Sequence, residues 1–318
     1  MSSVFAKTRE ISHPKEKGRR IFEIDFLRGI AITLMVLLHF CYTFGYGPKD
    51  FYGIKIGQEP DWYIGLARFF RFVFCSITQS KGSSLIDWGD KIAGMNAFTN
   101  LHSLEVFWSG MFMFLAGVSC TLSKSNMKRG VQIFLVANLL SMVLELATDI
   151  LSPTFDMHIW CGILHALGIA IIIYSVFDHF FSKWWQTYIA FIVLTIVSGI
   201  VIWNVYASNQ FMQSIKPPFA TLEELAKNMG ELLIGTKRYG DDYFSPLLVT
   251  TAVFAGASVG KTVYRKKKSL LPSWFKTGWG RPICYVGRHT LFIYVIHQIV
   301  AALFLILIMS ASGIPIPL

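Results

Sequence analysis

The chain has 318 residues, 53% of them hydrophobic and only 15% charged, with a mean hydropathy of +0.50 and a formal net charge of +10. Its apolar residues come in blocks of about twenty, the length that crosses a bilayer core of about 30 Å, which excludes a soluble globular domain and reads as an integral membrane protein. Five cysteines, four of them inside or bordering apolar blocks, show neither a disulfide framework nor a metal-ligand spacing and read as small core hydrophobes.

The first 23 residues are polar and hold six Lys or Arg. They read as a basic cytoplasmic tail, not a cleavable signal peptide, and residues 24–318 as a single membrane-embedded domain. Seven spans follow, at about 26–46, 104–122, 130–149, 157–177, 184–204, 244–263 and 289–309. The first carries "FEIDFLRGIAITLMVLLHF" (22–40), with Arg28 at its mouth and His39 near its middle. On a helix these residues, with Ile32 and Met35 between them, step at i, i+4, i+7 and i+11 along one stripe. The helical rise separates the two ends by roughly 16 Å.

Between the first two spans, "WYIGLARFFRFVFCSITQ" (62–79) is apolar, but Arg68 and Arg71 fall at its centre. Two central arginines cost several kcal/mol on an insertion scale. The segment therefore reads as an interfacial or re-entrant helix, its arginines toward water or the site. "TLEELAKNMGELL" (221–233), after the Pro217–Pro218 break, reads as an amphipathic surface helix. "GASVG" (256–260) is a small-residue stretch of the kind that packs helices closely. The expected fold is thus an all-α polytopic bundle of about seven transmembrane helices plus interfacial or re-entrant helices.

Charge supplies the orientation. With the N-terminus inside, the inner segments 1–28, 123–129, 178–183 and 261–288 hold 19 of the 29 Lys and Arg. The positive-inside rule then places the N-terminus in the cytoplasm and the C-terminus outside. The excess positive charge is mostly topological, and nucleic acid is not needed as a partner to explain it.

Three histidines lie inside spans: His39, His165 in "CGILHALG" and His297 in "FIYVIHQ". Glu145 lies in the third span, with Glu105 and Asp149 near span ends. An ionisable group in hydrocarbon is costly unless it faces a partner or a wet cavity, so each is a functional candidate. An interhelical hydrogen bond is the plainer role for any one of them. Arg28 likewise reads either as a snorkelling anchor paired with Asp25 or as part of a cationic mouth. Lys124, Lys128, Arg129, Lys266, Lys267, Lys268, Arg281 and Arg288 crowd the same side. Such a cluster suits a polyanion, either an anionic lipid headgroup or a phosphate-bearing cofactor.

Five ordered blocks carry a family likeness: "EIDFLRGIAITLMVLLH", "FMFLAGVSCTLSKSNMKRG" (112–130), "GILHALG" (162–168), "DDYFSPLL" (241–248) and "VGRHTLFIYVIHQ" (286–298). The series resembles bacterial relatives of the heparan-alpha-glucosaminide N-acetyltransferase catalytic domain. It is also similar to the wider transmembrane acyltransferase superfamily, whose first span carries Arg, ten residues, then His. The resemblance covers nearly the whole chain after residue 20. It implies a bacterial cytoplasmic-membrane enzyme taking an acyl group, commonly acetyl, from cytoplasmic acyl-CoA to a hydroxyl or amine of a sugar or glycolipid, with no metal.

By the same resemblance, the catalytic histidine falls on His39 and the conserved arginine on Arg28; His165 and His297 stand as further catalytic candidates by their place inside spans. The resemblance implies that the basic loop ends Lys128, Arg129 and Arg288 neighbour the CoA phosphates, and Arg28 and Lys124 join them as cofactor-binding candidates by their place in the same cationic mouth. A neutral imidazole at His39 acts either as general base toward the acceptor or as acyl carrier. Many relatives place a carboxylate one turn after the histidine, in "HFxYD". Here the stretch is "HFCYT", with Thr43 in that place, so Glu145, another acid or a neutral partner must orient the ring. The expected partners are the lipid bilayer, acyl-CoA, a glycan or glycolipid acceptor and a second copy of the chain in a homodimer. Two other functions share the same residues: a proton-coupled transporter and a non-catalytic partner in envelope-glycan assembly. The former is disfavoured by the absence of a detectable internal repeat.

Overall fold

Apolar blocks of this length have to satisfy their own backbone groups in hydrocarbon, and a helix does so within one segment. The computed structural model describes residues 21–55, 58–78, 103–123, 125–151, 159–207, 214–215, 222–236, 238–239, 242–271, 278 and 280–314. These form α1 (Phe22–Tyr52), α2 (Asp61–Thr78), α3 (Ser103–Leu122), α4 (Asn126–Leu151), α5 (Ile163–Phe180), α6 (Trp184–Ala207), α7 (Leu222–Ile234), α8 (Pro246–Thr262), α9 (Gly280–Arg288) and α10 (Thr290–Ala311). Ser214–Ile215 and Arg238–Tyr239 add a two-residue parallel pairing.

Five helices, α1, α4, α5, α6 and α10, are long and apolar enough to cross a bilayer. The other two expected spans fall on α3, whose apolar stretch is Trp108–Leu122, and on the 17-residue α8. These two pack closely against each other. Gly117 of α3 lies against the carbonyl of Val253, and Gly256 of α8 against the carbonyl of Phe114, so a side chain at either glycine would collide with the other backbone. That is the close packing expected of "GASVG". Around this pair the core gathers Ala116, Ile171, Tyr174, Val253, Phe254 and Ala257.

Polarity is arranged inside out relative to a soluble protein. Leu135, Leu139, Met142 and Leu146 of α4 and Ile192, Ile196, Ile200 and Trp203 of α6 point outward, a continuous apolar surface of the kind that meets lipid. Buried polar side chains such as His165, His297, Thr250 and Ser258 lie within.

Two expectations shift. The span placed at 157–177 becomes a helix only at Ile163, because Gly162 is extended (φ −71°, ψ 176°) and the turn before it is held by Phe244 N–H donating to the Cys161 carbonyl (2.9 Å). α2 is helical as expected, but its arginines part company. Arg68 is exposed, whereas Arg71 turns inward to Glu59 (2.5 Å) and the Gly45 carbonyl (2.9 Å), and Tyr63 donates to the Phe44 carbonyl (2.6 Å). Arg71 thus fastens α2 to the far end of α1 and faces neither water nor the histidine. The "TLEELAKNMGELL" segment forms the amphipathic α7, whose Leu232 packs on Cys161, Trp160 and Tyr243.

Candidate functional site

The site begins where α9 crosses the start of α1. Gly287 lies against the Asp25 carbonyl and Gly29 against the Ile283 carbonyl, so the two backbones nearly touch. This approach brings Arg288 to Asp25 (Nε to Oδ2, 3.1 Å) across 263 residues of chain. Glu23 accepts from Ser269 Oγ and from the Leu270 amide, each at 2.6 Å, and so draws the basic 265–268 run toward the same place. Lys267 holds a left-handed backbone (φ 49°), a conformation non-glycine residues rarely adopt.

These contacts build a cavity of about 830 Å³ whose lining includes Arg28, Arg129, Lys267 and Arg288 with Asp25 and Gln132. Of the residues expected to hold CoA phosphates, Arg28, Arg129 and Arg288 share this cavity. Lys128 does not line it, and its side chain is exposed. Lys124 lies outside the described residues. Lys267 takes a place in the lining that charge counting alone did not single out from its neighbours.

Further along α1, Ile32, Met35 and His39 line a much smaller chamber of about 90 Å³, with Trp108, Phe112 and Asp242 among the other walls. Phe112 and Tyr294 belong to both spaces, so these two rings form the partition between the cationic cavity and the histidine.

His39 and His297, 258 residues apart, meet at 2.8 Å (His39 Nδ1 to His297 Nε2), with ring centroids 4.9 Å apart. The remaining His297 nitrogen, Nδ1, lies 2.6 Å from the Tyr294 carbonyl and 3.3 Å from that of Ile293. A carbonyl only accepts, so His297 Nδ1 carries its proton. A neutral His297 then accepts at Nε2, His39 donates from Nδ1, and the lone pair of His39 Nε2 is left without a proton. The group that meets the His39 ring, where "HFCYT" carries no carboxylate, is thus a second histidine anchored on its own helix backbone. Thr43 is buried, and Gln298, the neighbour of His297, is exposed.

His165 stays apart from this pair. It is buried on α5 with its ring edge-on to Phe134 (5.9 Å, 88°). It lines a pocket of about 20 Å³ together with Ser141, Asp242 and Tyr294. Asp242 borders both this pocket and the His39 chamber, and Tyr294 borders all three spaces. Neither was singled out from the sequence. The available signal was the acid pair of "DDYFSPLL", standing just before an apolar helix with a Ser–Pro start. Ser245 caps α8 at Leu248 N and Pro246 follows it.

Outward apolar faces define an integral membrane protein, and inside it a cationic cavity adjoins a small chamber that His39 lines. The chain belongs to the family of the heparan-alpha-glucosaminide N-acetyltransferase catalytic domain, whose model matches residues 20–85 and 90–299. Membership implies a membrane acetyltransferase, and acetyl-CoA is the usual donor in the family. No curated protein and no solved structure matches the chain.

Proposed function

We propose that the protein transfers an acetyl group from cytoplasmic acetyl-CoA to a hydroxyl or amine of a sugar or glycolipid at the membrane. The observation that carries this reading is the adjacency of two unlike spaces, a roomy cationic cavity and a small histidine chamber sharing the walls Phe112 and Tyr294. Arg28, Arg129, Lys267 and Arg288 suit the phosphates of the nucleotide, since charge-assisted hydrogen bonds are the strong ones. Arg28 and His39 are separated along α1 by roughly 16 Å of helical rise, a distance suited to an extended pantetheine arm.

At the chamber, His39 Nε2 accepts the proton of the acceptor hydroxyl or amine as that atom attacks the thioester carbonyl. The carbon–sulfur bond breaks, the acetyl group ends on the acceptor, and the departing thiolate takes the proton back from His39. His297 keeps the His39 ring in the productive tautomer throughout. In the other route, Nε2 itself attacks the carbonyl and holds the acetyl group before passing it on. The direct route needs only the proton-free Nε2 that the hydrogen-bond chain already supplies.

Purified protein incubated with labelled acetyl-CoA and a sugar acceptor tests the activity, and Arg28→Ala tests the donor site. Removing one charge-assisted phosphate contact, worth roughly 1.5–3 kcal/mol, is expected to weaken CoA binding about ten- to a hundredfold while the protein remains folded. Arg28→Lys recovers only part of the loss, because an ammonium lacks the planar fork. Unchanged CoA affinity in Arg28→Ala would return Arg28 to the role of a snorkelling anchor.

The orientation that supplies cytoplasmic CoA has its own test. Lys268 and Ala226 are both exposed, whereas Ser269 is engaged with Glu23 and is a poor reporter. In a cysteine-free background, Ala226→Cys on α7 is expected to react with an impermeant maleimide on intact cells, and Lys268→Cys only after the cells are opened. The reverse pattern would put the cationic cavity on the wrong side for CoA.

A further inference from the structure

Asp242 is the acid of the chamber, and the catalytic scheme above makes no use of it. We infer that Asp242 is the acceptor-binding residue, its carboxylate holding a hydroxyl or ammonium hydrogen of the incoming sugar beside His39. This deepens the acyltransferase reading and rests on it.

Three observations converge. Asp242 borders both the His39 chamber and the adjoining small pocket with His165 and Ser141, so a group entering between the two meets a carboxylate, an imidazole and a hydroxyl. Its position is built: Gly162 leaves room for it, since a Cβ there would come within 3.1 Å of Asp242 Oδ2 and 2.9 Å of Ile159 Cγ2. Gly162 is also the residue at the N-terminus of α5 and offers no side-chain cap. The helix dipole there favours an ionised carboxylate. Finally, Asp242 stands at the opposite end of the bundle from the cations. It precedes α8 by four residues, and Lys261 and Lys267 lie at or beyond the other end of that helix, about 26 Å away along the axis.

The two spaces therefore suit different chemistry. The cations of the larger cavity suit phosphates, and the Asp242 carboxylate in the chamber wall accepts hydrogen bonds. A polyhydroxylated or amino sugar fits such a site, because each of its hydroxyls or its ammonium donates. The acceptor then enters from the side away from the donor, and the two substrates meet at His39.

The test uses the purified full chain, acetyl-CoA at saturation, and glucosamine and glucose as probe acceptors. In Asp242→Asn the KM for the used probe is expected to rise roughly ten- to a hundredfold, the scale of one lost charge-assisted hydrogen bond. The dissociation constant for acetyl-CoA is expected to stay within about twofold of wild type, as no phosphate contact is touched. Gly162→Ala, whose backbone conformation alanine adopts freely, keeps the charge but crowds it, and is expected to raise KM by a smaller factor at a near-normal melting temperature. An unchanged acceptor KM in Asp242→Asn would overturn the assignment while leaving the acyltransferase reading intact. So would a lowered melting temperature accompanied by lost acetyl-CoA binding, which would make Asp242 a cap for α5 only. Absence of any acetyl-CoA turnover by wild type would instead defeat the acyltransferase reading, and this assignment with it.

Discussion

His39→Gln is expected to abolish acetyl transfer while leaving acetyl-CoA binding intact. The amide fills nearly the same space and still hydrogen-bonds to His297, so the chamber keeps its shape. What it lacks is a nitrogen lone pair able to take a proton, or an acyl group, near neutral pH. Positioned general-base catalysis contributes about 10²–10⁴-fold, and a loss of that size is the expected outcome. His39→Ala should be equally inactive. A purely structural histidine would behave otherwise: His39→Gln would retain most of its activity, and His39→Ala would mainly lower the melting temperature. Measuring transfer, acetyl-CoA affinity and melting temperature on both variants separates the cases, and an active His39→Gln protein would end the catalytic assignment.

The second large effect belongs to His297, a positioning residue that reaches the chemistry only through His39. His297→Phe preserves an aromatic ring but removes the acceptor for the His39 Nδ1 proton. The His39 imidazole is then free to place its proton on either nitrogen, and the tautomer with a protonated Nε2 cannot act as a base. A fall of about 10²-fold in kcat is expected, with the KM for acetyl-CoA unchanged because the cationic cavity is untouched. His297→Gln offers an amide oxygen that accepts the same proton and is expected to recover part of the rate. The split between kcat and KM is the decisive reading. Equal losses in acetyl-CoA binding and turnover, or no rescue by glutamine, would make His297 a packing residue of α10. If His297→Phe kept full activity, the histidine pair would have no part in the reaction.

How much of this was legible beforehand depends on how far apart the interacting residues lie along the chain. The Arg28–His39 stripe was readable because 3.6 residues per turn ties i, i+4, i+7 and i+11 together locally, and the structure lines Ile32, Met35 and His39 along one chamber. Glycines in "GASVG" were readable as packing residues, since small side chains are what permit close helix approach in a membrane. The amphipathic α7 and the helical nature of α2 followed from local pattern in the same way. What α2 does with Arg71 did not, because its partners Glu59 and Gly45 are set by how the helix folds back on α1.

By itself, the sequence determined an all-helical membrane protein, its apolar spans and the list of intramembrane histidines, since length and hydropathy are properties of single segments. Only the tertiary structure decided which members of that list meet. His39 and His297 are joined across 258 residues, and His165 is left with Phe134. The same holds for the cations. Lys128 and Arg129 are equal in a charge count, yet Arg129 lines the cavity and Lys128 does not. Asp242 became visible last, because a loop acid has no periodicity to announce it. Its meaning comes from Gly162 and the start of α5, some eighty residues earlier in the chain, making room for its carboxylate beside His39.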